Sequence, residues 1–313
     1  MKTKQALQES IRRERSAVLV VNAHSRRGEQ LFFAAMKELA KRDITVAASY
    51  PVRNLTRLPA IMKEVMQRDH TLVIVGGGDG TIRSIVDYFA YKDVVLGILP
   101  LGTSNGFART LDIPVSLEGA LDVISHGKVV DVDLGKVNGD FFANVVSLGL
   151  SADIARRVPR RLKRFGGVLS YALVGITNLL TRRAFRCRLT LDGGAHTLQT
   201  HQVVIANGSF FGITKLAPDA RVDDRRLIIF TMDTLSRWQT VKLWVAFWLG
   251  KQGAFSEALY FTTKDVTVET DPPQYIDVDG ETTIRTPVRI TLAPAALKVL
   301  APVTFEEIDS SEI

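Results

Sequence analysis

Short apolar runs alternate with amphipathic segments over the first 130 residues. The runs are rich in valine and isoleucine, as strands buried on both faces are. Between them, apolar residues recur at helical spacing over residues 29–42 and 57–68. This alternation predicts a mostly parallel sheet covered by helices, in an α/β domain over residues 1–134. The predicted strands are residues 17–22, 44–50, 71–75 and 94–100.

Beyond residue 130, turn signals and strand-like runs replace this pattern. An Asn-Gly pair at 138–139 and a Gly-Gly pair at 193–194 each lie between two runs, as in β-hairpins. The sequence therefore predicts an antiparallel β domain over residues 135–313, with a ligand site in the cleft between the domains. The C-terminal tail is a candidate to pack back on the first domain. Further predicted strands lie at 226–232, 265–270, 274–281 and 288–294.

Composition indicates the cellular compartment of the protein and the charge of its partner. A single cysteine, Cys187, excludes an intramolecular disulfide and favours a reducing compartment. No apolar run reaches the roughly 18 residues of a membrane span, and none near the N-terminus is long enough for a signal peptide. We therefore predict a cytoplasmic protein. The net charge of +7 and pI of about 9.5 predict an anionic partner, with solubility alone as the alternative.

The most informative segment is "GGGDGT", residues 76–81, between a predicted strand and a predicted helix. Glycines at the carboxyl end of a parallel strand allow backbone N–H groups to approach a phosphate. The segment is not a Walker A loop, and Thr81 occupies the last glycine position of the dinucleotide fingerprint. A tight turn without a ligand is the alternative.

The next strand ends in a segment that also satisfies a hydrolase motif. Residues Gly102-Thr103-Ser104-Asn105-Gly106 match G-x-S-x-G, the nucleophile elbow of α/β-hydrolases, and acidic residues and then His196 or His201 follow in the required order. A serine hydrolase is therefore an alternative function. It leaves "GGGDGT" unexplained.

Five motifs together resemble the bacterial diacylglycerol and lipid kinases, which are relatives of the sphingosine kinases and, more remotely, of the NAD kinases. The resemblance covers about residues 17 to 305. It implies ATP-dependent phosphorylation of a lipid hydroxyl with Mg²⁺, in a cleft between a Rossmann-like α/β nucleotide-binding domain and an antiparallel β-sandwich domain. The motifs are "VNAHSRRG" (21–28), "GGGDGT" (76–81), "PLGTSNGFAR" (100–109), "PDARVDDRRL" (218–227) and "DVDGE" (277–281).

The resemblance also implies roles for individual residues. The proton acceptor is expected in "DVDGE", with Glu281 as first choice and Asp279 as second, and Asp79 is a further catalytic candidate. If residues 279–281 form a strand, the side chains of Asp279 and Glu281 share one face; a hairpin turn at Asp-Gly is the alternative. The expected Mg²⁺ ligands are the Asp224 carboxylate and the carbonyls of Arg221 and Arg226. The expected nucleotide contacts are Asn22, Ser25, Gly77, Gly78, Asp79, Gly80, Thr81, Arg83, Thr103 and Asn105.

The chain departs from the family pattern at several positions. Arg83 and Ser84 stand where the family has Asn-Glu, and Pro51 stands where a threonine is expected. Arg225 replaces a glycine, so the metal site is strained or absent if this position needs a positive φ. A nucleotide- and membrane-binding regulator without catalysis is therefore a further alternative.

Two segments are candidates for contact with an anionic membrane. Residues 156–164 hold six basic residues ahead of an apolar run to residue 180, and residues 237–251 hold all three tryptophans. Amphipathic helices packed on the core are the alternative.

We predict a peripheral protein at the inner face of the membrane, with no nucleic acid and no obligate protein partner. The candidate lipids are diacylglycerol, phosphatidylglycerol, ceramide and sphingoid bases.

Overall fold

The chain divides into two compact units. The α/β unit comprises Met1–Leu134, Arg221–Arg225 and Ala293–Ile313, and the β unit comprises Gly135–Ala220 and Arg226–Leu292. The computed structural model describes residues 2–157, 183–211, 214–215, 221–233, 236, 238–239, 242 and 258–308.

The described residues form helices mainly in the first half of the chain and strands throughout. The helices are α1 (Lys4–Glu14), α2 (Arg26–Lys41), α3 (Leu58–Met66), α4 (Asp79–Phe89), α5 (Gly106–Thr110), α6 (Leu117–His126) and α7 (Leu150–Arg157). The strands are β1 (Ser16–Asn22), β2 (Thr45–Val52), β3 (Leu72–Gly77), β4 (Val95–Pro100), β5 (Lys128–Val137), β6 (Asp140–Phe142), β7 (Val145–Gly149), β8 (Phe185–Leu191), β9 (Gly194–Thr200), β10 (Gln202–Ala206), β11 (Phe210–Phe211), β12 (Thr214–Lys215), β13 (Leu227–Met232), β14 (Ala258–Thr263), β15 (Asp265–Asp271), β16 (Tyr275–Val278), β17 (Glu281–Arg285) and β18 (Val288–Ala301).

The α/β unit contains a parallel sheet in the order β2-β1-β3-β4-β18. All six residues of β3 are buried, as are all six of β4, because apolar residues run without interruption along both strands. The four strands and both helices predicted from periodicity are confirmed. Since the chain leaves β1 toward β2 on one side and β3 lies on the other, the carboxyl ends of β1 and β3 form a switch point, where such sheets bind ligands.

The β unit is a sandwich of antiparallel sheets. One sheet has the order β14-β13-β10-β7-β16-β17, and the other contains β18, β15, β8 and β9 as neighbours. Alternate residues of both sheets fill one core, which includes Leu148, Cys187 and Ile290. The predicted fold class, an α/β domain followed by an antiparallel β-sandwich, is confirmed.

Helix α1 was not predicted from the sequence. It buries only Leu7 and Ile11, so its apolar stripe is too narrow for a strong helical signal, and Thr3 caps its N-terminus by accepting from the Ala6 N–H. No helix among the described residues is long and apolar enough to cross a membrane. The candidate membrane segments, residues 156–180 and 237–251, lie almost entirely outside the described residues.

Candidate functional site

The glycine segment joins strand β3 directly to helix α4. Gly77 ends the buried strand, Gly78 is the N-cap residue with φ −101°, and the helix begins at Asp79. A Cβ at Gly77 would lie 2.4 Å from the Cβ of Thr81, so the first helical turn packs directly on the strand. A Cβ at Gly80, in contrast, would meet no atom within 4 Å. There is therefore no room for a side chain at Gly77, where the first turn of α4 packs, whereas the space beside Gly80 is free.

The segment after β4 is shaped by the buried side chain of Asn105. Its Oδ1 accepts from the Gly102 N–H at 2.9 Å, and its Nδ2 donates to the carbonyls of Gly102 at 3.0 Å and Pro100 at 3.4 Å. Asn105 has φ +51°, a left-handed conformation that asparagine adopts more readily than most residues. A Cβ at Gly102 would lie 2.5 Å from the Cα of Gly78. The two segments thus touch through their backbones, and Asn105 has a structural role.

Further hydrogen bonds join the glycine segment, residues 76–81, to the segment that follows β4. The Asp79 Oδ1 accepts from the Phe107 N–H, at the start of α5, at 3.2 Å. The Leu101 N–H donates to the Gly77 carbonyl at 2.9 Å. The structure gives the Asp79 carboxylate a positioning role, and its contact with a nucleotide stays a prediction.

The loop after β1 adds a third segment to the same edge of the sheet. The Asn22 Nδ2 donates to the Thr81 Oγ1 at 3.2 Å, which ties β1 to the first turn of α4. Ser25 is the N-cap of α2, and its Oγ accepts from the Gly28 N–H at 3.1 Å. The N-termini of α2 and α4 therefore lie beside the carboxyl ends of β1 and β3.

A cavity of ≈ 230 Å³ lies between these three segments. Helix N-termini carry partial positive charge and bind phosphate through unpaired N–H groups, so the position of α2 and α4 suits an anion. Arg27 adds a full positive charge. Arg27 was not among the predicted nucleotide contacts, although two arginines follow Ser25 directly. The lining residues are Asn22, His24, Ser25, Arg27, Gly28, Leu31, Leu55, Gly77, Gly78, Leu101 and Gly102.

The residues predicted to contact nucleotide fall into three groups. The first group lines the cavity, and the second is buried and holds the segments in place. The third group lies outside the lining, with Gly80 and Thr103 exposed. The groups are, in that order, Asn22, Ser25, Gly77 and Gly78; Thr81 and Asn105; and Asp79, Gly80, Arg83 and Thr103.

The "DVDGE" motif forms a hairpin between β16 and β17. Asp279 and Gly280 have φ +46° and +93°, as the two central residues of a type I′ turn do. The prediction that Asp279 and Glu281 share a strand face is therefore wrong, because the chain reverses at Asp279–Gly280. Glu281 is the first, exposed residue of β17.

The Asp279 carboxylate is buried and surrounded by backbone donors. It accepts from the N–H groups of Ala143 at 2.8 Å, Asn144 at 3.1 Å and Val145 at 2.8 Å. Its own N–H donates to the Val145 carbonyl at 2.9 Å. Asp279 therefore anchors the hairpin to residues 143–145, whereas Glu281 is exposed and its role as proton acceptor stays a prediction.

The loop predicted to bind Mg²⁺ is a poor match for a resident metal. Arg225 has φ +59°, the condition under which the sequence analysis expected a strained or absent site. The Asp224 Oδ2 accepts from the Arg221 N–H at 3.3 Å. We therefore assign no step of the reaction to a metal in this loop.

The hydrolase alternative is not supported by the backbone around Ser104. In a nucleophile elbow, the serine occupies the sharp turn between strand and helix. Here β4 ends at Pro100 and α5 begins at Gly106, and the left-handed residue is Asn105 instead of Ser104.

Comparison with family models shows the same two-part organisation. Residues 16–137 match the diacylglycerol kinase catalytic domain, and residues 144–301 match the YegS C-terminal NAD kinase beta sandwich-like domain. Curated diacylglycerol kinases of Staphylococcus aureus strains JH9 and Newman are each 28% identical over 285 residues, which is 85% of this chain and 89% of theirs.

Solved structures from Bacillus anthracis str. Sterne share the fold. One is a diacylglycerol kinase with a TM-score of 0.73 at 22% identity, covering 93% of this chain and 98% of its own. Another chain from that organism has a TM-score of 0.78 at 22% identity, covering 93% and 97%. The two family matches together define a phosphotransferase that acts on lipids. The chain belongs to the bacterial lipid kinase family that includes the diacylglycerol kinases, and it is a lipid kinase.

Proposed function

We propose that this lipid kinase transfers the γ-phosphoryl group of ATP to the hydroxyl of a membrane lipid. The observation that carries the proposal is the cavity between the N-termini of α2 and α4, lined by the backbone of Gly77, Gly78 and Gly102. Phosphoryl transfer depends mainly on positioning and on stabilising the phosphate charge, and such a cavity supplies both. If Mg²⁺ is bound with ATP, it would neutralise further charge on the phosphates.

The proposal divides the residues by role. Backbone N–H groups at Gly78 and Gly80 bind phosphate, while Thr103 and Arg83 contact the nucleotide from outside the cavity lining. In the reaction, the lipid oxygen forms a bond to the γ-phosphorus, the bond from that phosphorus to the ADP oxygen breaks, and the hydroxyl proton passes to Glu281. A positioned carboxylate in this role typically contributes about 10²–10⁴-fold to the rate.

Diacylglycerol is the first lipid to test, because the curated relatives are named diacylglycerol kinases. Phosphatidylglycerol, ceramide and sphingoid bases also present a hydroxyl near a headgroup and belong in the same panel. We propose that residues 156–180 and 237–251 hold the enzyme at the inner face of an anionic membrane.

The test uses labelled ATP, Mg²⁺ and vesicles that contain each lipid alcohol. We expect one labelled phospholipid product from the unmodified chain. The variant Gly80→Val should lose ATP binding, because its side chain would extend into space that the nucleotide needs, and it should stay folded, because a Cβ at this position meets no atom within 4 Å. Gly193→Val is the matched control, since a Cβ at Gly193 also meets nothing within 4 Å.

The proposal fails if no lipid in the panel is labelled. It also fails if Gly80→Val binds ATP as tightly as Gly193→Val does. The ATP affinity of Gly80→Val tests the proposed nucleotide site, and the labelled product identifies the lipid. The two parts of the proposal can therefore fail independently.

A further inference from the structure

The loop Arg221–Arg226 carries more positive than negative charge. Arg221, Arg225 and Arg226 stand against Asp223 and Asp224. Once Asp133, which faces the loop from β5, is counted, three arginines balance three aspartates, so a divalent cation placed there would add two uncompensated positive charges within the few ångströms where Coulomb repulsion is strong. Proteins hold Mg²⁺ with carboxylates and water, and this loop brings its own cations instead.

A buried carboxylate faces this loop from strand β5. Asp133 is 1% exposed, and its Oδ1 accepts from the Ala295 N–H at 2.8 Å. Its backbone N–H donates to the Val222 carbonyl at 2.7 Å, so strand and loop are paired beside the carboxylate. Burial raises the pKa of Asp133, and the Ala295 N–H and the Arg225 guanidinium oppose that rise. A carboxylate in this position needs a positive partner.

Arg225 supplies that partner through its unusual backbone. Its N–H donates to the Asp133 Oδ2 at 2.9 Å, and its guanidinium forms a salt bridge with the Asp133 Oδ1. A left-handed residue other than glycine costs about 1–2 kcal/mol. Glycine would make the same turn without that cost but would remove the Arg225 guanidinium from the carboxylate.

We propose that the Arg225 guanidinium takes the place of a resident divalent cation in this loop, so that the enzyme folds and keeps the loop in place without a structural metal. The pair joins two segments of the α/β unit that are 92 residues apart in sequence. Mg²⁺ is then needed only with the nucleotide. This inference does not depend on which lipid is phosphorylated.

The first measurement is the metal content and melting temperature of the unmodified chain without nucleotide. We expect less than stoichiometric Mg²⁺ after gel filtration, and the same melting temperature in EDTA as in MgCl₂. Stoichiometric Mg²⁺ together with a lower melting temperature in EDTA would overturn the proposal. This measurement requires no variant.

Variants then show whether the stability of the loop depends on the carboxylate of Asp133 or on that of Asp224. Arg225→Gly should lower the melting temperature by roughly 5–10 °C, because it leaves the buried Asp133 without its cation. Adding Asp133→Asn to Arg225→Gly should recover much of the loss, since a neutral amide needs no cation. Arg226→Gly is the control, because Arg226 is exposed and the change in charge is the same.

Asp224→Asn distinguishes the guanidinium from a metal. If Arg225 holds the loop, the melting temperature of this variant should fall by less than that of Arg225→Gly does, because an amide oxygen can still accept from the Arg221 N–H. If a metal held by Asp224 were responsible, Asp224→Asn would be destabilised and Arg225→Gly would not. That pattern would also overturn the proposal.

Discussion

Replacing Asp279 should damage the fold, whereas replacing Glu281 should damage the chemistry. The Asp279 carboxylate accepts from three backbone N–H groups, at 2.8, 3.1 and 2.8 Å. Asp279→Ala would leave these buried donors without an acceptor, at about 1–3 kcal/mol for each. Since some donors can reach water after local relaxation, we expect the free energy of unfolding to fall by about 3–6 kcal/mol.

The conservative variants make the distinction sharper. Asp279→Asn keeps one acceptor oxygen and tolerates the left-handed backbone at φ +46°, but its amide N–H₂ faces other donors, so we expect a loss of about 1–3 kcal/mol. Glu281→Gln should change the free energy of unfolding by less than about 0.5 kcal/mol, as surface substitutions usually do. It should lower kcat by about 10²–10⁴-fold, because the proton acceptor is lost.

Both quantities can be measured on the same preparations. Denaturant unfolding followed by circular dichroism gives the stability, and labelled phospholipid formed at saturating ATP gives kcat. These two roles would be contradicted if Asp279→Asn were as stable as the unmodified chain yet inactive, while Glu281→Gln stayed active. That result would make Asp279 the proton acceptor.

Three further predictions follow from packing and charge. Gly102→Ala should lower the melting temperature and weaken ATP binding, because the added Cβ would lie 2.5 Å from the Cα of Gly78 and one of the two backbones must shift; unchanged affinity would argue against a shared phosphate site. Burial raises the pKa of Cys187 to about 12, so the native protein at pH 8 should not react with a thiol reagent, and one equivalent should react after denaturation. Changing Arg160, Arg161 and Lys163 to glutamate should weaken binding to anionic vesicles at low salt; undiminished binding would exclude this segment as the membrane contact.

Periodicity sufficed to predict the α/β sheet because β3 and β4 are uninterrupted buried runs with turns at both ends. The role of Asp279 could not be obtained in this way. The spacing of Asp279 and Glu281 is compatible with a strand and with a hairpin. Only the backbone N–H groups of residues 143–145, far away in sequence, show that the Asp279 carboxylate holds the hairpin in place. The same holds for Arg225, whose conformation is explained by Asp133, 92 residues earlier.

Strand β18 has a consequence for how the protein is made. Its residues 298 and 299 pair with β4, and the Tyr91 N–H donates to the Ala296 carbonyl, so the first 134 residues lack one strand of their own sheet. During translation, β4 remains an open edge until residues 293–301 leave the ribosome, and open edges invite aggregation. An excised fragment of residues 1–134 should therefore be insoluble, and fusing residues 293–308 to it should improve its yield.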